Sequence, residues 1–156
     1  MPHLFPGFSG ITAALAMFIV LWLIACLTTK NAASFDFDAL GEKGAFEKLL
    51  QSYLHLAEFI LGLAAGSIVL LVGSAALHQT GRLPWFYSSP LFLLAASIVY
   101  GVLFMVFLIM DYENYRHHPQ FRTYTRLKYA RNQALGLGGL SCFCVGYVWL
   151  IIVVTR

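Results

Sequence analysis

Apolar residues fall along this chain in four long runs separated by polar stretches. The first run covers residues 11–27 and is closed by Thr28, Thr29 and Lys30. At about 1.5 Å per residue it is a somewhat short crossing of a hydrocarbon core about 30 Å thick. A polar connection follows, with Gly41 and Gly44 as breakers, and from residue 45 the pattern turns helical and continues to residue 77. That is too long for the same core, so the second helix projects beyond it. Gly81, Pro84 and Pro90 mark a turn, with Trp85, Phe86 and Tyr87 as an interfacial aromatic belt. The third run occupies about 90–110 and gives way to Asp111-Tyr112-Glu113-Asn114-Tyr115-Arg116-His117-His118-Pro119, where the proline ends one helix or starts the next. The fourth occupies about 134–154. The pattern predicts an all-α integral membrane protein, a four-transmembrane-helix bundle in a single domain, 1–156. Its spans are about 11–28, 54–77, 90–110 and 134–154, its connections on one side are 29–50 and 111–133, and helices 2 to 4 extend on that side.

Small residues mark the faces expected to pack. Gly62 and Gly66 on the second helix, Ser97 and Gly101 on the third, and Gly139, Cys142 and Gly146 on the fourth each share a side of their helix. Such faces let helix backbones approach closely in lipid, and Tyr100 is placed for a hydrogen bond between helices.

Composition strengthens this reading: 60% of the residues are hydrophobic and only 11% charged, against about 25% charged in soluble domains. Eight of the ten Lys and Arg residues (Lys30, Lys43, Lys48, Arg116, Arg122, Arg126, Lys128 and Arg131) fall between helices 1 and 2 or between helices 3 and 4. The positive-inside rule therefore predicts a multi-pass protein of the cell membrane with both termini outside and the two charged connections in the cytoplasm. The net charge of +3 is accounted for by topology and gives no reason to expect nucleic acid. Three cysteines, all in apolar runs, do not form a disulfide framework. Leu23-Ile24-Ala25-Cys26 resembles a lipoprotein cleavage signal, although residues 1–10 lack the Lys or Arg that such signals carry, and whether Cys26 is such a site stays open.

No soluble cofactor motif is present, so candidate chemistry rests on polar residues at the charged end. Gln51, His55 and Glu58 fall at i, i+4 and i+7 on one face of the second helix. Glu58 has two readings: an intramembrane acid with a function, or an interfacial carboxylate paired with Arg126 or Arg131. No metal is assigned. His55, Glu58, His117 and His118, with Asp111 or Glu113, are chemically adequate ligands, but their spacing is not that of the histidine boxes of membrane hydroxylases. Tyr112, Tyr115, Tyr124 and Tyr129 with Arg116, Arg122, Arg126 and Lys128 form a basic aromatic surface. It suits an anionic headgroup or substrate, or simply sets topology.

The layout resembles the MAPEG family of membrane glutathione transferases and leukotriene/prostaglandin synthases. Those are four-span trimers with an acidic residue on the second helix and Tyr/Arg at the end of the third. Phe46-Glu47-Lys48 leading to Glu58 is similar to the first of these motifs, and Tyr112, Tyr115 and Arg116 to the second. Gln51 and His55 depart from the family pattern, which has Arg and Asn there, and the central hairpin is longer. The resemblance implies glutathione as cofactor, with Arg116 or Arg126 stabilising its thiolate and Tyr112 or Tyr115 orienting it. Two functions are thus expected to compete. One is an oligomeric subunit in the lipid bilayer, a homo-oligomer or part of a membrane complex, assembling with partners or forming a solute or ion path along Gln51, His55, Glu58 and Asp111. The other is a MAPEG-like enzyme acting on a lipophilic substrate. A third reading, a metal- or haem-containing subunit, would use His55 with His117 or His118.

Overall fold

A computed structural model describes residues 6–28, 45–77, 87–117 and 125–155, with side chains from residue 10 in the first segment and for 47–73 in the second. Its four elements are all helices: α1 (Pro6–Thr28), α2 (Ala45–Leu77), α3 (Ser88–His117) and α4 (Arg126–Val154). Each is long and apolar enough to cross a membrane. In such a solvent a helix is favoured because it satisfies every backbone donor and acceptor within the segment. Pro90 sits in the first turn of α3, where the missing N–H has no intrahelical role. Thr125 is extended and starts α4, its carbonyl taking the Tyr129 N–H at 3.1 Å. Thr28 and Thr155 hydroxyls fold back onto the carbonyls of Ile24 and Ile151 at the opposite ends of the chain's helical run.

As the sequence predicts, α2, α3 and α4 extend past their apolar runs, over 45–50, 111–117 and 126–133 of the connecting stretches. The reason is general. Leaving hydrocarbon changes which side chains are tolerated, but the backbone stays helical until a breaker stops it.

α3 and α4 form the most extensive contact, α1 packs against both, and α2 lies on the outside of α3, touching α4 sparsely and α1 not at all among the described residues. The α3–α4 seam uses the predicted small faces. A Cβ on Gly139 would stand 3.4 Å from the Gly101 nitrogen, and one on Gly146 would stand 3.1 Å from Leu93 Cβ. The Ser97 hydroxyl donates to the Gly139 carbonyl at 2.8 Å. Tyr100 makes its interhelical bond to α1, donating to the Ala14 carbonyl at 3.1 Å, with Phe18 stacked obliquely on its ring. Fully buried Leu93, Leu94 and Cys142 fill the middle of this three-helix core.

Gly62 and Gly66 do not pack on another helix among the described residues. Among the described residues, nothing outside the helix's own nearby backbone lies within 4 Å of a Cβ placed on either, nor on Gly73. α2 turns Ala57, Leu61 and Ala64 inward, so its glycines look outward. Large apolar side chains such as Val69, Leu70 and Phe59 also stand outward, more than 60% exposed. So large an exposed apolar surface marks contact with a membrane or with other protein.

Candidate functional site

At the end where α1 and α3 finish and α2 and α4 start, one carboxylate organises a polar network. The Asp111 side chain is 5% exposed. Its Oδ2 accepts from Arg131 Nη2 at 2.7 Å and from Asn132 Nδ2 at 3.0 Å, and Lys128 Nζ lies 3.4 Å from Oδ1. Arg131 Nε also donates to Asn132 Oδ1 at 3.3 Å, and its guanidinium lies 4.0 Å from the centre of the Phe107 ring. Lys128, Arg131 and Asn132 stand at i, i+3 and i+4, so one face of α4 delivers all three to α3. A buried carboxylate is tolerable only when paired and hydrogen-bonded, and both conditions hold here.

Arg126 and Arg131 therefore do not pair with Glu58, as one sequence reading had it. Arg131 is taken by Asp111, and Arg126 Nη2 donates to the Cys26 carbonyl. That carbonyl lies in the last turn of α1, where it has no partner within its own helix. Tyr112 donates to Glu47 Oε1 at 2.9 Å and so ties α3 to the foot of α2. Glu58 is eleven residues further along α2, roughly 16 Å at helical rise. Among the described residues it pairs only with the neighbouring His55, at 3.5 Å, with the two side chains 65% and 82% exposed.

The residues proposed from sequence are thus spread out. Gln51, His55 and Glu58 point away from the bundle while Asp111 is buried between α3 and α4, so they do not line one path within the chain. Tyr115 is half-buried, and Arg116 and His117 are exposed on the last turn of α3. His118 falls outside the described residues. Among those described, no group of three or more His, Cys, Asp or Glu side chains converges as metal ligands.

Two features escaped the sequence reading. Lys128 and Asn132 belong to the Asp111 site, and the adjacent amides Asn132 and Gln133 at the foot of an otherwise apolar helix were the available signal. The second is a groove between α2 and α4, floored by α3, with a volume of about 470 Å³. Gln133 lines it, and its Oε1 is buried without a hydrogen-bond partner among the described residues. Compared with known proteins, the chain matches no family model, no curated protein and no solved structure, so the MAPEG resemblance rests on the quoted residues alone.

Proposed function

We propose that this protein is a membrane-embedded assembly subunit that associates with a second copy of itself through the outer face of α2, with its charged end in the cytoplasm. The observation that carries this reading is the outward His55–Glu58 pair, 3.5 Å apart and well exposed. It stands in line with Gly62 and Gly66, beside which a Cβ would meet nothing. This stripe is opposite the face of α2 that packs on α3. Polar side chains facing hydrocarbon are costly, and a helix that carries them is stabilised by covering them. A second α2 is a suitable cover. In a two-fold contact His55 of each copy meets Glu58 of the other, and the glycines let the backbones close in. The eight-to-two split of Lys and Arg supports the orientation.

No observation favours the glutathione-dependent alternative. Tyr112 and Arg126, two of its candidate residues, are committed to Glu47 and Cys26.

Single-molecule photobleaching of labelled protein in liposomes tests the assembly. Wild type is expected to give two-step traces at moderate density. Gly62→Ile with Gly66→Ile should give single steps while the circular dichroism spectrum stays helical. Glu58→Leu removes the His55–Glu58 contact on both sides of the two-fold and is expected to weaken association by roughly eight- to thirtyfold, two interhelical polar contacts of about 0.6–1 kcal/mol each in a bilayer. Single steps for wild type at every density would sink the proposal.

A further inference from the structure

The α2–α4 groove has a specific composition. Leu56, Ile60, Leu61, Phe104, Leu137 and Leu140 furnish apolar walls, while Tyr53, Tyr129, Asn132 and Gln133 line it nearer the charged end. Gly101 and Gly136 also line it, with the side chains of Leu61 and Phe104 packed over them. Its volume of about 470 Å³ lies within the range of small-molecule sites, about 300–1,000 Å³. Because α2 meets α4 only sparsely, the groove opens sideways, towards the medium that surrounds the bundle.

The polar end is selective about charge. Among the described residues that line the groove, none is Asp, Glu, Lys, Arg or His. The nearby cations Arg131 and Lys128 are engaged by Asp111, and both ends of the Asn132 amide are used in the same network. Gln133 is different: its carbonyl oxygen is covered by protein and, among the described residues, accepts nothing. Rotation about the last side-chain torsion, which is soft for an amide, turns either end of the group towards an occupant. Across the groove stands Tyr53, whose ring meets Phe104 edge-on at 6.4 Å and whose hydroxyl can donate or accept. An uncharged hydroxyl complements this pair, donating to Gln133 and accepting from Tyr53. A carboxylate would bring a charge with no free cation on the groove wall.

We propose that the groove is a binding site for a membrane-dissolved lipid alcohol, a long apolar body ending in one uncharged hydroxyl. The hydroxyl sits at Gln133, and the body runs past Gly136 towards Leu140, about 10 Å further along α4. This inference rests on the membrane reading but not on assembly through α2, since the groove and the glycine stripe lie on opposite faces of that helix. Gln133 is then an amide retained for recognition at a cost in stability, because an unsatisfied buried acceptor favours unfolding.

The full chain in nanodiscs holding one copy each, photolabelled with a diazirine-bearing long-chain primary alcohol, tests the site separately from assembly. The chain-matched methyl ether and carboxylic acid serve as comparisons, and adducts are located by peptide mass. The alcohol is expected to label the facing walls of α2 and α4 at least about fivefold more than the ether or the acid, the worth of one hydrogen bond. Gln133→Leu should reduce alcohol labelling to the ether's level while raising the thermal midpoint of the unliganded protein. Leu137→Trp, which fills the groove, should reduce labelling by all three probes. Equal labelling by the three would mean that any bilayer lipid fills the groove, and preferential labelling by the acid would mean an anion site. Adducts elsewhere, or a Gln133→Leu variant labelled like wild type, would overturn the proposal as well.

Discussion

Replacing Asp111 by alanine is expected to destabilise the purified protein by about 3–5 kcal/mol, the scale on which removing one partner from a buried ion pair acts. Three groups lose their acceptor at once: Arg131 at 2.7 Å, Asn132 at 3.0 Å and Lys128 at 3.4 Å. They do not contribute equally. Lys128 is 43% exposed and water takes over its ammonium, so Lys128→Ala alone is expected to cost no more than about 1 kcal/mol. Arg131 is 31% exposed and is held against Phe107, and Asn132 is buried, so these two groups carry the loss. Asp111→Asn keeps an acceptor without the charge and should fall between wild type and Asp111→Ala. In a double-mutant cycle, Asp111→Leu with Arg131→Met should be less destabilised than the sum of its single changes, because the cation left without its carboxylate is then only the half-exposed Lys128, which water takes over. Unfolding in mixed micelles, followed by circular dichroism, measures each variant. An Asp111→Ala protein within about 1 kcal/mol of wild type would show that the network does not hold α3 to α4.

Gly146→Leu is expected to cost about 3 kcal/mol, at the upper end of overpacking effects. Even a methyl group there would stand 3.1 Å from Leu93 Cβ and 3.4 Å from both the Leu94 nitrogen and the Pro90 carbonyl. Two of those three atoms are backbone, so relief requires moving α4 away from α3 rather than turning a side chain. Gly10 is tighter still towards α3, with a Cβ reaching 2.9 Å from the Ser89 carbonyl oxygen. The control is Gly66→Ala on α2, whose added methyl meets no other helix among the described residues. In monomeric protein it should be neutral or stabilising by up to about 1 kcal/mol, since alanine is the better helix former. Unfolding midpoints of the three proteins prepared alike provide the comparison. Equal midpoints for Gly146→Leu and wild type would mean that the two helices are not in close contact at that level.

These contrasts separate what was legible in the chain from what was not. Four helices long and apolar enough to cross a membrane follow from runs of apolar residues, because chain length and side-chain transfer energy are local properties. The Gly139–Cys142–Gly146 seam and the hydrogen bond of Tyr100 were legible for the same reason, since helical spacing places residues on a face without reference to anything else. That α2, α3 and α4 continue past their apolar runs was legible too, while the residues at which they stop were not: α3 runs through His117 and α4 starts at Arg126.

The choice of neighbours was decided only by tertiary structure. Gly62 with Gly66 and Gly139 with Gly146 look alike in sequence, yet the second pair is closed by α3 and the first is left open. Arg131 had two carboxylates to choose from, Glu58 and Asp111, and took the one across the α3–α4 seam. Where the surrounding medium is as apolar as the side chains, burial does not select which helix faces meet, and fit over the whole contact does. Residue types and spacing therefore determined four apolar helices with a charged end, while the packing of α1, α3 and α4 decided the rest. It buried Asp111, turned Glu58 outward and left a groove against α2.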